Sequence, residues 1–405
     1  MIIGFNDVLI YITVLLSLFS SIFFISTYLS FNGQKKETKK ITKYPKISII
    51  IPAYNEENNI INTIKNVLSL DYPKKEIIVV DDSSSDNTYK KAKTLSSDIV
   101  KVFTKKHSGK SDSVNYGVKM SSGEILMILD ADTIASKDCL KNIVHYFDDP
   151  KVMAALPIVR ISKPKNLIQK CQAMEYVFMA FYRKIHYFIA SLNCTPAGAF
   201  IRKKFISKYG GFDKDNITED YEMGLRIQSK NYKIIQSSDS EVYTIVPNSL
   251  GKLLRQRVRW SYGTLKNLSK YRFMINPKYG DLGVFVLPLS VFYIGLISFV
   301  FIYSLISVLF DTLHQIYLYN LVGFDVLSHF KIQSIDLIRI ITDEKTFPII
   351  LTFLIGFLLY EIGRRSIKEK FRIEYVFYLL LYAWIISLSQ FIAIFYLIIR
   401  KEPPW

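Results

Sequence analysis

Cysteine is scarce in this sequence and is not placed to bind a metal. Three cysteines occur in 405 residues: Cys139, Cys171 and Cys194. Their spacing is far longer than that of a zinc or iron–sulfur site, and their number is odd. A cysteine-based metal centre and a disulfide framework are therefore disfavoured, and a reducing, cytosolic setting is the simpler interpretation.

A removable signal peptide is also missing. Val8–Phe31 is an apolar run without charged residues, but no basic segment precedes it and no small-residue cleavage site follows it. Such a run can cross a bilayer as a helix. We therefore predict a transmembrane anchor over residues 1–31 and a basic linker over residues 32–45. The positive-inside rule places this lysine-rich flank, and the chain up to about residue 280, in the cytoplasm.

Acidic residues are outnumbered by basic ones. The chain has 35 Asp and Glu against 52 Lys and Arg, a formal net charge of +17, and half of its residues are hydrophobic. A basic balance suits nucleic acid, an anionic membrane surface or nucleotide substrates. The basic residues cluster beside apolar spans instead of forming a stripe on a soluble domain, which argues against nucleic acid. The composition therefore favours a multi-pass cell-membrane protein.

Long apolar runs return near the C-terminus. We predict a transmembrane region over residues 282–405 with about three spans, at Val284–Phe310, Phe347–Gly363 and Tyr375–Ile399. Val322–Ile341 has helical periodicity but carries charges, so we interpret it as interfacial, with a polar-lined span as the alternative. The basic Arg400–Lys401 tail conflicts with the charge rule, and the side of the C-terminus stays open.

Between residues 46 and 248 the pattern changes to alternating strands and helices. Buried strands are predicted at Ile47–Ile51, ended by Pro52, and at Ile99–Phe103. Two more strands lie in EIIVVDD and EILMILDAD, and helical segments separate the strands. This alternation predicts an α/β domain with a doubly wound, mostly parallel sheet.

Two long segments mix aromatic and basic residues. Residues 163–193 have the amphipathic character of a helix at the membrane interface, with a helix packed in the domain core as the alternative. Residues 249–281 are predicted as a second interfacial helix, with basic residues among leucines and a tryptophan.

Two carboxylates stand at the end of the fourth predicted strand. Asp130 and Asp132 are two residues apart, so their side chains share one face just beyond the strand. Open α/β sheets bind ligands at this edge. Paired carboxylates there suit Mg²⁺ or Mn²⁺ bridging a diphosphate. A strand-ending turn with two solvated aspartates is the alternative.

Further polar groups follow other predicted strands or begin helices. Glu56 and Asp82 follow the first and second strands, on the edge where a nucleotide would bind. Lys110 follows a Ser-Gly pair at a helix start, where its charge suits a diphosphate, although a solvated lysine would look the same. Glu219 and Asp220 begin another helix, where Asp220 could be a general base or simply a cap.

An amide, a guanidinium and an indole share one face of the last basic helix. Gln256, Arg259 and Trp260 stand at i, i+3 and i+4 in QRVRW. An indole stacks on sugar rings, and arginine stabilises a leaving phosphate. A basic helix snorkelling into lipid headgroups explains this face less well.

The motifs PAYNEE, DDSSSDNT, GKSDSVNYG, LDADT, TED and QRVRW occur in this order. In order and spacing they resemble those of membrane-bound family-2 glycosyltransferases, the superfamily of cellulose, chitin and hyaluronan synthases. They are most similar to those of bacterial poly-β-1,6-N-acetylglucosamine synthases. The resemblance covers roughly residues 45–270 and implies a GT-A-type, Rossmann-like catalytic domain in the cytoplasm.

The resemblance also implies a role for each matching residue. Those expected to bind the nucleotide sugar are Tyr54, Glu56, Asp82, Lys110 and Asp130. Asp132, assisted by Asp130, is expected to hold Mg²⁺ or Mn²⁺. The expected catalytic residues are Asp220 as general base, Gln256, Arg259 and Trp260. The expected acceptor residues are Gly198, Phe200, Glu219 and Trp260, although Ala197 stands where the family usually has Ser or Thr.

The implied reaction is inverting, processive transfer of N-acetylglucosamine from a UDP-sugar to a growing polysaccharide, with extrusion through the membrane. Single-sugar transfer to a membrane lipid is the alternative. A non-catalytic membrane protein with a nucleotide-binding domain is a remote one, because no expected carboxylate is missing. The implied partners are a UDP-sugar, a saccharide or lipid acceptor and the bilayer, without nucleic acid; the need for an accessory membrane subunit stays open.

Overall fold

The computed structural model describes residues 4–32, 43–322 and 346–404. Most of the predicted linker over residues 32–45, and all of the predicted interfacial segment after Val322, lie outside the described residues. The described strands are β1 Ile47–Ala53, β2 Lys75–Asp81, β3 Val100–Thr104, β4 Ile125–Ile128, β5 Ile134–Ala135, β6 Val152–Ile161, β7 Phe200–Arg202 and β8 Lys233–Thr244.

These eight strands form one mixed sheet in the order β3-β2-β1-β4-β7-β6-β8-β5. The four strands predicted from the sequence make its parallel part, with β1 between β2 and β4 and with β3 beyond β2. β7 is antiparallel to both β4 and β6, and β5 is antiparallel to β8. β6 and β8 are parallel. The sheet is therefore parallel at one side and mixed at the other.

The first strand runs past its predicted end at Pro52. In the structure Pro52 pairs with Val80, and Ala53 pairs with Asp81. A proline loses only its own N–H. The carbonyl of Ala53 still accepts a hydrogen bond from the N–H of Asp82 at 2.9 Å, so the pairing continues.

Helices cover both faces of the parallel part. They include α2 Ile60–Leu68, α3 Thr88–Lys93, α4 Lys110–Met120, α5 Lys141–Val144, α6 Leu167–Phe188, α7 Lys203–Tyr209, α8 Glu219–Ser229 and α9 Leu250–Lys270. Successive side chains of β1 point to opposite faces of the sheet and pack in two separate hydrophobic cores. Ile49 packs with Ile64 of α2 in one core, and Ile50 packs with Val114 of α4 in the other. The doubly wound arrangement predicted from the strand–helix alternation is confirmed.

The remaining described helices are α1 Phe5–Asn32, α10 Leu287–Val322, α11 Thr346–Ser366, α12 Tyr375–Phe377 and α13 Ala383–Ile398. A π-helical turn, Tyr378–Tyr382, joins the last two, and we call Tyr375–Ile398 the C-terminal helical segment. Within the described ranges, four segments are long and apolar enough to cross a membrane: Asp7–Phe31, Leu282–Leu318, Thr346–Ser366 and Tyr375–Ile398. Each coincides with a span predicted from the sequence.

The chain divides into two compact units. The first comprises Met1–Gly33 and Ser290–Ile362. Within it α1 and α10 are joined by the hydroxyl of Tyr293, which donates to the carbonyl of Leu16 at 2.9 Å.

The second unit, Gln34–Leu289 and Gly363–Trp405, contains the whole sheet and the C-terminal helical segment. That segment packs on α6 and α9. Leu253 of α9, Cys171 of α6 and Tyr382 form a small apolar cluster there. Further along, Tyr262 of α9 packs with Ala393. The long aromatic and basic helix α6 therefore has a protein-facing side, with Met174, Val177 and Phe181 buried.

Glycine at position 224 lets α8 lie against the segment before β7. A Cβ there would stand 2.4 Å from the carbonyl oxygen of Asn193. We expect Gly224→Ala to lower the free energy of unfolding by about 1–3 kcal/mol, because the neighbouring backbone must move. Thermal unfolding in detergent measures this. Gly251→Ala on α9 is the control: its Cβ would meet nothing within 4 Å, and equal destabilisation by both variants would contradict the close approach.

Candidate active site

The carboxyl ends of β1, β2 and β4 bring the predicted acidic residues to one sheet edge. β4 ends at Ile128, and Asp130 and Asp132 follow in a turn. Thr133 closes this turn: its N–H donates to the Asp130 carbonyl, and its hydroxyl donates to the Asp132 carboxylate, both at 3.0 Å. Glu56, which follows β1, is close enough to Asp132 to raise that residue's pKa.

Lys110 joins two of the acidic motifs. It begins α4, and its Nζ lies 2.6 Å from Oδ1 of Asp130 and 3.8 Å from Oε1 of Glu219. Desolvation opposes the charge on Lys110, but Asp130 and Glu219 outweigh it and raise the pKa of the ammonium. The lysine is therefore firmly cationic, between carboxylates from β4 and α8.

In the described part of the chain, no lysine or arginine forms an ion pair with Asp132. Burial raises its pKa to about 6, and the neighbouring Asp130 carboxylate raises it further than Lys110 lowers it. Among the described residues, no three His, Cys, Asp or Glu side chains are grouped to hold a metal ion. Asp130 and Asp132 are nevertheless hard oxygen donors two residues apart, and this fits a divalent cation that takes its other ligands from outside the protein.

Glu219 and Asp220 occupy the first turn of α8, as predicted. Burial raises the pKa of both carboxyls, and the positive charge of Lys110 opposes the rise. One Asp220 oxygen accepts a hydrogen bond from the N–H of Tyr221 at 2.8 Å. Arg259 also lowers the pKa of Asp220, so its charge acts on this site. An acidic group with a raised pKa is suited to accept a proton near neutral pH.

A tight contact sets α9 beside this turn. A Cβ on Gly263 of α9 would stand 2.2 Å from Oγ1 of Thr218, the residue before α8. Asn267 of α9 donates to the same Thr218 hydroxyl at 3.0 Å. The absence of a side chain at position 263 therefore allows the QRVRW helix to approach the start of α8.

Asp82 is buried and already has partners within the protein. Its carboxylate lies 2.6 Å from Nζ of Lys105 and 3.0 Å from Nδ1 of His107. It also accepts hydrogen bonds from the N–H groups of Ser108 and Gly109, at 3.0 and 2.8 Å. In the structure, Asp82 therefore shapes the loop that leads into α4.

Tyr54 and His107 form an open aromatic pair above that loop. Tyr54 is 49% exposed, and the two ring centroids are 4.7 Å apart. Glu56 follows Tyr54 by two residues and accepts a hydrogen bond from the side chain of Asn59 at 2.7 Å. His107 was not among the predicted site residues. Its position three residues before Lys110, in the sequence HSGK, is the signal that could have found it.

The loop before β7 connects β4 with α8. The N–H of Gly198 donates to the carbonyl of Ile128 at 2.7 Å, with φ at +77°, a conformation that favours glycine. The hydroxyl of Thr195 donates to the carbonyl of Asp220 at 2.7 Å. Phe200 begins β7 and is fully buried in the hydrophobic core. The structure thus brings the loop to Asp220 and buries the Phe200 side chain in the core.

Sequence reasoning missed a buried polar cluster on α6 and α9. Arg257, between Gln256 and Arg259, is 2% exposed and forms an ion pair with Glu175 of α6. Burial raises the pKa of Tyr176 on α6 to about 12, and Asp132 adds to the rise, which places this phenol near the carboxylates. A glutamate and a tyrosine in an aromatic, basic helix carry no distinctive local pattern, so only packing could reveal them.

Comparison with known proteins gives relatives for the part of the chain that holds the carboxyl ends of β1, β2 and β4. Residues 48–210 match the family model described as Glycosyl transferase family 2. The poly-beta-1,6-N-acetyl-D-glucosamine synthase of Staphylococcus aureus (strain MSSA476) is 31% identical over 268 residues, which cover 64% of this chain and 65% of that protein. The synthase of the same name from Staphylococcus epidermidis is 33% identical over 230 residues, covering 54% of each chain. The chain thus spans 65% of the length of the Staphylococcus aureus protein and 54% of that of the Staphylococcus epidermidis protein.

A solved structure extends the likeness to the whole fold. The mannosyltransferase PcManGT from Pyrobaculum calidifontis, in complex with GDP-Man and Mn²⁺, has a TM-score of 0.63 to this chain. The likeness covers 97% of this chain and 99% of that one at 18% identity, and at this identity it establishes the fold alone. The predicted GT-A-type fold is confirmed. Over residues 48–210 this chain is similar to Glycosyl transferase family 2 proteins.

Proposed function

We propose that this protein is a membrane-bound, inverting glycosyltransferase that moves N-acetylglucosamine from a UDP-sugar to a growing polysaccharide. One observation carries the proposal: the ammonium group of Lys110 contacts the carboxylates of Asp130 and Glu219. Its charge also acts on the carboxyls of Asp132 and Asp220. The sugar is inferred from the named activity of the staphylococcal relatives.

The donor would lie along the edge formed by β1, β2 and α4. The exposed Tyr54 ring, paired with His107, offers a flat surface to a nucleobase. Glu56 would accept hydrogen bonds from the nucleoside. Asp82 would act indirectly: it accepts hydrogen bonds from the backbone of the loop before Lys110 and so fixes the position of Lys110. When the donor binds, the Lys110 ammonium would form an ion pair with the diphosphate and weaken its ion pair with Asp130.

Asp132, with Asp130, would hold Mg²⁺ or Mn²⁺. The raised pKa of Asp132 supports this, because it reflects a buried carboxyl beside the negative charges of Asp130 and Glu56. When bound, such an ion neutralises charge on the diphosphate as it leaves. The Mn²⁺ in the structure of the mannosyltransferase PcManGT is consistent with this role.

Asp220 would be the general base. It would take the proton from an acceptor hydroxyl, whose oxygen forms a bond to the anomeric carbon while the bond from that carbon to the phosphate oxygen breaks. UDP leaves with the electron pair, and attack opposite the leaving group inverts the configuration. Arg259 would stabilise the diphosphate, and Gln256 and Trp260 would hold the acceptor, beside Gly198 and Glu219.

The acceptor and the membrane arrangement follow from the same proposal. Four segments long and apolar enough to cross a bilayer suit a multi-pass protein with its catalytic domain in the cytoplasm. Processive synthesis with extrusion is our first choice, because the named relatives are polysaccharide synthases. Transfer of one sugar to a membrane lipid is the second candidate, and a need for an accessory subunit stays open.

Replacement of the proposed base tests the chemistry. We expect Asp220→Asn to lower kcat by about 10²–10⁴-fold, because the amide cannot accept the proton, while UDP affinity stays unchanged. Release of UDP from purified protein and UDP titration measure the two quantities. Asp215→Asn, an exposed residue in the loop before α8, is the control. Transfer at the normal rate in Asp220→Asn would show that another group is the base.

Thermal unfolding with Mn²⁺ at several pH values tests Asp132. Because the folded state raises this pKa above its ordinary value of roughly 4, the protonated carboxyl stabilises the fold at low pH. That contribution is lost as the pH rises through about 6. Bound Mn²⁺ should therefore raise Tm more above pH 6 than below it.

The same measurement on Asp132→Asn should show a smaller Mn²⁺ effect with little dependence on pH. Asp138→Asn, at an exposed position nearby, should behave as the unsubstituted protein does. An identical Mn²⁺ response in Asp132→Asn would remove this residue from the metal site.

Product size decides between the two acceptor classes. Incubation with radiolabelled UDP-N-acetylglucosamine and Mn²⁺, followed by size separation, is expected to yield material of many sugars per chain that a β-1,6-specific hexosaminidase degrades. Label that stays in the organic phase as a single sugar on a lipid would establish the second candidate instead.

A further inference from the structure

One buried ion pair in the second compact unit has no role in the proposed chemistry. Arg257 of α9 is 2% exposed, and its Nη2 is paired with Oε2 of Glu175 on α6. The same nitrogen donates to the hydroxyl of Tyr382 at 3.0 Å, and that hydroxyl donates to Glu175 at 2.8 Å. Three helical segments therefore meet at one guanidinium.

We propose that Arg257 is a positioning residue that sets the orientation of Gln256 and Trp260, and that Glu175 and Tyr382 tie this orientation to the C-terminal helical segment. The proposal rests on the proposed function for the meaning of those two side chains. The geometry itself does not depend on which sugar or acceptor is used.

The contact with Gln256 determines which end of its amide faces the substrate. Nη1 of Arg257 lies 2.6 Å from Oε1 of Gln256. A guanidinium has donors only, so the carbonyl end of the amide must face Arg257. The NH₂ group then points away from Arg257. Gln256 would therefore meet its substrate as a hydrogen-bond donor, toward a hydroxyl or phosphate oxygen.

The contact with Trp260 determines which face of the indole is open. The guanidinium carbon of Arg257 lies 4.0 Å from the centroid of the Trp260 ring, within the range of a cation–π contact. One face of the indole is thereby covered. A sugar can stack only on the opposite face, so Arg257 defines the side from which an acceptor approaches.

Tyr382 connects this arrangement to a segment long and apolar enough to span a membrane. It lies at the end of the π-helical turn Tyr378–Tyr382. Its ring stacks on Tyr378 at 5.2 Å, and Tyr378 stacks on Phe178 of α6 at 5.5 Å. A shift of the C-terminal helical segment would thus act on Arg257 through the Tyr382 hydroxyl and, through Arg257, on Gln256 and Trp260.

A buried ion pair with only a structural role would behave differently. Replacing one partner would then destabilise the fold but leave kcat of the folded protein intact. A positioning role predicts loss of kcat in protein that is still folded, because a small misplacement of a substrate-contacting group costs about 10²-fold in rate.

The test uses the full-length protein in detergent with Trp384 and Trp405 changed to Phe, so that Trp260 is its only tryptophan. In this background we compare Arg257→Met, Arg257→Lys and Tyr382→Phe with Arg255→Met. Arg255 is an exposed arginine on the same helix and serves as the matched control. The readouts are Tm, UDP affinity, kcat and acceptor KM, and acrylamide quenching of Trp260 fluorescence without substrate.

We expect Arg257→Met to lower kcat about 10²-fold, to leave UDP affinity unchanged and to increase quenching of Trp260. Arg257→Lys should recover Tm but not kcat, because an ammonium cannot contact Glu175, Gln256 and Trp260 together. Tyr382→Phe should lower kcat less, and should add little in an Arg257→Met background, because both changes break one network. Arg255→Met should change none of these quantities.

Folded Arg257→Met with unaltered kcat and quenching would overturn the proposal, as would additive losses in the double variant. If Arg257→Met does not fold, Arg257→Lys and Tyr382→Phe decide in the same way, since each keeps most of the buried contacts. The substrate-free quenching result separates this proposal from the proposed function. Absence of sugar transfer by the unsubstituted protein would refute that function and leave the quenching result to stand by itself.

Discussion

The arrangement of the site depends on one electrostatic constraint: several partly buried carboxylates lie around the ammonium group of Lys110. Lys110 contacts Asp130 at 2.6 Å and Glu219 at 3.8 Å, and its charge opposes the rise that burial causes in the pKa values of Asp132 and Asp220. The negative charge therefore exceeds the positive charge nearby. Such an excess is costly in the protein alone and favours cationic ligands.

The fold brings these groups together from distant parts of the chain. Parallel strands end at the same sheet edge, so β1, β2 and β4 deliver Glu56, Asp82 and the Asp130–Asp132 pair to one line. The close contact of Gly263 with Thr218 then sets α9 against the start of α8. The parallel strands thus bring the acidic residues to one sheet edge. The missing side chain of Gly263 lets α9 approach the start of α8.

Much of this could be predicted from the sequence, and the failures have a common cause. The four parallel strands, the DxD turn and the helix starts at Lys110 and Glu219 depend on local apolar patterns and polar breaks, which the structure confirms. β5, β6, β7 and β8 were not predicted. β7, for example, is three residues long and pairs antiparallel with two strands, so its conformation comes from its neighbours rather than its own residues.

The sequence by itself determined the order of the elements, the acidic character of the sheet edge and the four apolar segments, because periodicity and charge act locally. Only the tertiary structure decided which side chains are buried and which partners they have. It gave Asp82 four partners within the protein, buried Phe200 in the core and joined Arg257 to Glu175 and Tyr382, residues 82 and 125 positions away. Desolvation makes such pairings obligatory for a buried charge, and burial depends on the whole chain.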